Sequence, residues 1–212
     1  MAIDTEPTSA STDDAPKKKP GLGFFGELPI LVITALVLAL VIKAFLFQAF
    51  FIPSGSMEPT LYPGDRVLVN KIPYYFRDPH RGDIIVFENP DPAAQVDRGI
   101  IGGFVHWLAS GLGVSSNPEE DFIKRVIGEP GDTVEARNGQ VFVNGRQVDE
   151  PYLTEKTADF GPEKVPEGEL WVMGDNRGAS KDSRFGLGTV PFDKVVGQAF
   201  VKIWPPTRIG LL

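Results

Sequence analysis

The 212-residue chain contains no cysteine and only two histidines. Without cysteine there are no disulfides, no thiolate nucleophile and no thiolate metal ligands. His80 and His106 stand far apart, and neither belongs to HExxH or another compact ligand spacing, which argues against a metal centre. Positive charge is also in deficit. Lys and Arg total 21 against 28 Asp and Glu, a net charge of -7 and a pI near 4.9, so there is no basic field for a nucleic-acid backbone. The first 20 residues lack aromatics and bury almost nothing; they read as a disordered tail ending in the basic run Lys17, Lys18, Lys19. With so few histidines and no thiol, a catalytic site in this chain has to draw its nucleophile and base from serine, lysine and carboxylates.

One long apolar run is present. From Leu28 to Ile42 only Pro29 and Thr34 interrupt it, and after Lys43 the apolar character continues to Ile52. About 20 such residues suffice to span hydrocarbon, with Lys43 snorkelling near one end. A span over 28–49, following a tail over 1–27, is expected. The lysines before it and the lack of a basic cluster after it put the N-terminus in the cytoplasm and residues after Phe50 outside. A buried core helix is rarely apolar over this length. A cleaved leader needs small residues at its cut, but Phe47 stands two before Ala49 and no A-x-A occurs over 44–52.

The remainder reads as short strands without internal repeats. RVLVN at 66–70 and DIIVF at 83–87 are β-branched runs beside Gly-Asp turns. Residues 133–149 hold Asn138-Gly139 and Asn144-Gly145, two tight-hairpin signals. LWVMGD at 170–175 and VVGQAFVKIW at 195–204 add further strands. The expected fold is all-β, an antiparallel sheet or incomplete barrel, rather than alternating βαβ units. The apolar, glycine-interrupted segment 98–112 is too short to cross a bilayer; packing on the sheet or dipping Phe104 and Trp107 toward lipid both fit it.

Two runs carry candidate chemistry. In PSGSMEPTL at 53–61, Ser56 follows Gly55 in a turn flanked by Pro53 and Pro59, which exposes a hydroxyl in one fixed direction. Taken alone, such a stretch fits an ordinary loop equally well, and a serine hydroxyl needs a base. Lys124 supplies one. In a strand over 122–127, Phe122, Lys124 and Val126 share a face, and an amine between a phenyl ring and a valine is biased toward its neutral form by desolvation. An edge-strand lysine that blunts pairing is the competing reading. A third run, MGDNRGASKDSRFG at 173–186, is a turn-rich loop whose Ser180, Asp182, Ser183 and Arg184 could orient an amine as a triad aspartate orients its histidine. Together these residues suggest a membrane-held serine hydrolase with an amine base.

The same runs resemble the boxes of the type I signal peptidases, membrane-bound Ser/Lys endopeptidases that remove signal peptides from exported preproteins. PSGSMEPTL matches the serine box, RGDIIVF at 81–87 the next, KRVIGEPGD at 124–132 the lysine box and GDNRGASKDSR at 174–184 the last, in family order and after an apolar anchor. The resemblance covers residues 28–204. It implies Ser56 as acylating nucleophile and Lys124 as general base. Ser54 and the Ser56 N–H would form the oxyanion site, and the Ser180 hydroxyl would bond the lysine amine. Asp182 and Arg184 would form a supporting salt bridge, with Asp175 and Arg177 in the same loop. It also implies a catalytic lobe with a second, inserted β lobe, small here because only a short stretch separates Asp132 from Leu170. Cleavage would follow small residues through an acyl-enzyme, without cofactor or metal. Its partners would be exported preproteins, membrane lipid and nearby export machinery, with no nucleic acid. The expected boundaries are a cytoplasmic tail over 1–27, an anchor over 28–49, a catalytic region over 50–204 on the extracytoplasmic side and a C-terminal tail over 205–212.

Three other readings remain weaker. Self-cleaving repressors share Ser/Lys chemistry but are soluble and carry a DNA-binding domain. A Ser-His-Asp hydrolase would have to use His80, in a turn, or His106, in the apolar 98–112 segment. A noncatalytic tethered binding module would survive loss of Ser56 unchanged.

Overall fold

The computed structural model describes residues 24–90 and 121–212, with backbone alone considered for 24–26 and 40–45. The segment 98–112, including His106, lies outside the described residues. The chain divides after Val37 into two units, and each is taken by itself.

Helix α1 runs Phe24–Phe45. Pro29 lies inside the helix, one turn past its start, and leaves the Phe25 carbonyl without the N–H it would otherwise accept. Thr34 turns its hydroxyl inward to donate to the Ile30 carbonyl at 2.8 Å. The described side chains, 27–39, are exposed, with Leu31 at 68%. Among the described residues, no helix is long and apolar enough to cross a membrane. The expected boundaries shift at both ends. The helix starts four residues inside the expected tail over 1–27 and stops before the expected end at 49. Its apolar run continues into a strand, β1 (Phe47–Phe51), because aromatic side chains fit a pleated surface and a partner edge is at hand. An apolar run carries no mark at the point where helix gives way to strand.

That partner edge is β2 (Arg66–Asn70), in which Val67 and Val69 point inward and Arg66 outward. The chain continues through β3 (Ile84–Glu88) and β4 (Asp121–Gly128). A second sheet is then inserted, formed by β5 (Thr133–Arg137), β6 (Gln140–Val143), β7 (Arg146–Gln147) and β8 (Phe160–Lys164). β9 (Glu169–Met173) and β10 (Val190–Pro191) follow, then β11 (Val195–Trp204) and β12 (Gly210–Leu211). The larger sheet has the order β1-β2-β11-β3-β4-β9-β10, with β12 on β11; the smaller is β7-β6-β5-β8. All pairings among the described strands are antiparallel, so the all-β expectation holds, but the larger sheet is an open path with no barrel closure.

The hairpins at 133–147 form where Asn-Gly pairs were read. Asn138 and Gly139 have φ of 57° and 85°, and Asn144 and Gly145 have 52° and 74°, the two successive positive values of a tight hairpin turn. The second sheet packs its buried Val134, Val141 and Val143 with Ile127 and Trp171 of the larger sheet. It belongs to the same unit as that sheet.

The expected C-terminal tail over 205–212 is instead docked. Gly210 and Leu211 pair with Lys202 and Val201, and Arg208 pairs with Asp65, which is fully buried. Asp65 also accepts the Tyr62 N–H at 2.9 Å, so a carboxylate at the turn before β2 holds three parts of the chain. Sequence reading missed this because the cation that completes the site is supplied more than a hundred residues away. Arg208→Ala is expected to destabilise the fold by about 2–4 kcal/mol, since it leaves a buried carboxylate underpaired. A urea midpoint unchanged from the parent would show that the docked C-terminus carries no such load.

Candidate active site

Ser56 and Lys124 meet. The serine sits in the turn after Ile52, and the lysine projects from the middle of β4, paired through Ile85 to β3. Lys124 Nζ lies 2.9 Å from Ser56 Oγ and donates to the Ile123 carbonyl at 2.9 Å. Both residues are buried, at 7% and 3% exposure. Desolvation pulls the Lys124 pKa from 10.5 down to about 8, with Asp182 and then Asp175 pushing it back up. The Phe122 ring, 5.8 Å from the amine, is part of the apolar wall that the strand alternation predicts. Phe122 and Val126 join one buried cluster, while Ile123 on the other face joins another.

Each carboxylate that faces the amine is occupied by its own arginine. Asp182, fully buried, takes Arg184 Nε at 2.9 Å and Nη2 at 2.8 Å, and also the Gly174 N–H at 3.0 Å. Asp175 takes Arg125 Nε at 2.9 Å and Nη2 at 2.7 Å, and the Thr60 hydroxyl at 2.5 Å. These two-point pairs spread each negative charge over a guanidinium, which weakens its pull on the amine. Arg177 does not pair with Asp175. It runs outward to Glu150, with Nη2 to Oε1 at 2.5 Å, to the Thr157 hydroxyl at 2.5 Å and to the Gly174 carbonyl at 3.0 Å.

The loop over 174–184 is pressed against the serine turn. A Cβ on Gly174 would stand 2.5 Å from Ser180 Cβ and collide with the Ser56 carbonyl, so only glycine fits there. Asn176 clamps the turn from the other side, its backbone N–H donating to the Ser56 carbonyl and its side-chain amide to the Gly55 carbonyl, both at 3.0 Å. The expected bond from Ser180 to the lysine amine is not made. Ser180 Oγ is buried but has no hydrogen-bond partner among the described residues; the amine is held by Ser56 and Ile123 instead. Ser54 is exposed on the rim, two residues before Ser56.

Sequence reading missed Arg125, Asn176, Thr60 and Glu150. Thr60, Arg125 and Asn176 lie inside the serine, lysine and final motifs; a buried Asp within reach of an Arg on the adjoining strand is the signal that could have found Arg125. His80 is the exposed turn residue it was taken for, 3.6 Å from Glu129. No group of three metal-ligating side chains gathers among the described residues.

The profile of the family described as "Signal peptidase, peptidase S26" matches residues 26–204. A probable signal peptidase I-2 of Synechocystis is 42% identical over 92% of this chain and 81% of its own length. Signal peptidase I of Mycobacterium tuberculosis is 38% identical over 96% and 80%. A crystal structure of an Enterococcus faecalis signal peptidase I is 30% identical, covering 57% of this chain and 97% of its own, with a TM-score of 0.41. The chain belongs to the signal peptidase family, peptidase S26, as a bacterial-type type I member. Its context is therefore that of exported preproteins and a membrane.

The arginine pairing makes a specific forecast. Arg184→Met removes the cation that offsets Asp182, so the Lys124 amine should hold its proton to higher pH. The rising limb of kcat/KM against pH should move in the alkaline direction, while activity at the alkaline plateau is retained in the folded fraction. A limb that stays in place in a folded variant would show that Arg184 does not offset Asp182.

Proposed function

We propose that this chain cleaves signal peptides from exported preproteins by a Ser56/Lys124 mechanism. The observation that supports it most directly is the buried lysine amine 2.9 Å from the serine hydroxyl. With its pKa brought down to about 8, the amine is neutral in a sizeable fraction of molecules near neutral pH and can accept a proton. One N–H of the amine is held by the Ile123 carbonyl, which fixes Nζ beside Ser56 Oγ.

In this reading Ser56 Oγ attacks the carbonyl of the scissile bond as its proton passes to Lys124 Nζ. The Ser54 hydroxyl and the Ser56 backbone N–H stabilise the oxyanion. The lysine ammonium then gives that proton to the departing amine, and an ester to Ser56 remains. Water, deprotonated by the same amine, attacks the ester; the C–O bond to Ser56 breaks as Lys124 returns the proton to Ser56 Oγ, and the signal peptide leaves with a new carboxylate. The residue before the cut is small, by resemblance to the family. Asp182, Arg184, Asp175 and Arg177 position the loop, and Ser180 packs within it against Gly174. The helical part of the apolar run, residues 28–45, anchors the enzyme, with the catalytic region outside; the exposed apolar side chains of α1 and the lysines before it support this.

Ser56→Ala and Lys124→Met should each abolish preprotein cleavage while leaving thermal unfolding near that of the parent. In the parent, kcat/KM should rise with pH along one limb centred near 8, because only the neutral amine is active. Replacing both His80 and His106 should leave that limb in place. Near-parental turnover by either single variant, or loss of the limb in the folded double-histidine variant, would overturn the Ser/Lys reading.

Ser54→Ala should lower kcat by roughly 10²–10³, since a positioned donor acts mainly on the developing charge. A change below about threefold would leave Ser54 without an oxyanion role. Topology is tested separately. Protease added to intact spheroplasts should digest the region after Phe50 and spare the N-terminal tail, and protection of the whole chain until lysis would contradict the orientation.

A further inference from the structure

Asn176 grips both peptide groups that flank Ser56. Its backbone N–H donates to the Ser56 carbonyl and its side-chain amide to the Gly55 carbonyl, each at 3.0 Å. We propose that Asn176 is a positioning residue for the reaction: through the Gly55 carbonyl it aims and strengthens the Ser56 N–H as a donor to the oxyanion. This role rests on the Ser56/Lys124 reading and adds to it a residue that touches neither the substrate nor the reacting atoms.

The Gly55 carbonyl and the Ser56 N–H are the two ends of one planar trans peptide, so they point in opposite directions. A bond that fixes the oxygen therefore fixes the line along which the N–H points. Gly55 itself offers little resistance to rotation of that plane, because glycine has no side chain to restrict it. Two donors converge on its oxygen, Asn176 Nδ2 at 3.0 Å and the Glu58 N–H at 3.1 Å, which occupies both lone pairs. A carbonyl that accepts in this way polarises its own peptide group and makes the attached N–H a better donor. The carbonyl oxygen cannot donate, so the group that Asn176 presents to it is the NH2.

Of the two donors, only Asn176 supplies a reference outside the turn. The Glu58 N–H belongs to the serine turn and moves with it, whereas Asn176 reaches in from a loop 121 residues further along the chain. That loop is held on either side of Asn176. Asp175 is bound by Arg125 and by the Thr60 hydroxyl, and Arg177 by Glu150 and Thr157. Truncating the Asn176 side chain leaves the Glu58 bond and the backbone bond to the Ser56 carbonyl in place. The turn is then retained while the Gly55–Ser56 plane is freed. Lys124 Nζ keeps its own contacts to Ser56 Oγ and the Ile123 carbonyl, so proton transfer is left unaltered.

Gly-Ser occurs once in the chain, at 55–56. Full-length protein in detergent micelles, labelled with ¹³C at glycine carbonyls and ¹⁵N at serine, therefore gives a single carbonyl-coupled amide signal, that of Ser56. The parent is compared with Asn176→Ala and with Asn176→Asp, which keeps the size of the side chain but lacks the donor. In both variants the Ser56 amide signal should move from its parental position. On the alkaline plateau, kcat for a preprotein should fall about 10–100-fold, somewhat less than for outright loss of an oxyanion donor. KM should stay at the parental value, because the interaction is made in the transition state alone. The pH midpoint of Asn176→Ala should also match the parent. An unmoved Ser56 signal in Asn176→Ala, or parental kcat in either variant, would overturn the proposal. So would a fall in kcat accompanied by a raised KM or a displaced midpoint in Asn176→Ala, which marks a general disturbance of the site. All these results leave the Ser56/Lys124 reading standing. That reading fails separately if Ser56→Ala cleaves as the parent does, and the role of Asn176 falls with it.

Discussion

Keeping one lysine amine out of water is the constraint on which the site depends. An ammonium cannot take a proton from serine, and an exposed lysine remains an ammonium far above neutral pH. Burial of Lys124 changes that balance, but it brings the amine close to two carboxylates that favour the charged form. In the proposed mechanism that pull is moderated because Arg184 and Arg125 each engage one of those carboxylates through two bonds. The aspartates therefore act as rigid anchors for the loop while exerting less pull on the amine than free carboxylates would. Buried ion pairs are weak evidence of stability in themselves, and here their value lies in fixed geometry.

That geometry is passed from strand to loop to turn. β4 and β9 are paired, so Lys124 and Arg125 on one lie beside the start of the 174–184 loop that follows the other. Asp182 ties the far end of the loop back to the Gly174 N–H, and the missing side chain of Gly174 lets the loop close on the Ser56 carbonyl. Asn176 completes the clamp on Gly55 and Ser56. Arg177 then carries the loop outward to Glu150 and Thr157, on the connection between β7 and β8. The inserted sheet is thereby joined to the catalytic loop by a buried ion pair whose side chains are 1% and 7% exposed. Arg125 reinforces the join from below, its guanidinium 3.9 Å from the Tyr152 ring centroid.

Much of this was legible in the sequence where local chemistry decides the outcome. Asn138-Gly139 and Asn144-Gly145 specify hairpins because their backbone values suit few other residues. Val195–Trp204 reads as a strand from its β-branched and aromatic content, and β4 places Phe122 beside Lys124 by simple alternation. Illegible features depend on partners distant in the chain. β1 continues an apolar run and becomes a strand only by meeting β2. β8 contains Gly161 and Pro162, which read as turn residues, and β12 is two residues docked on β11. The Asp182–Arg184 bridge was expected from the resemblance, whereas the pairing of Arg125 with Asp175 joins residues far apart in the chain and was not. Ser180 shows the opposite failure: the right loop was identified, but its hydroxyl faces Gly174 without bonding the amine.

The central claim, that burial leaves Lys124 with an amine able to act as a base, can be read without any substrate. Side-chain NMR of ¹⁵N- and ¹³C-labelled enzyme should follow the Lys124 Nζ and Cε signals as pH is raised, with Lys124→Met identifying them by their loss. The account predicts a midpoint near 8, well below that of the exposed lysines. A midpoint indistinguishable from an exposed lysine, near 10.4, in the folded enzyme would contradict it.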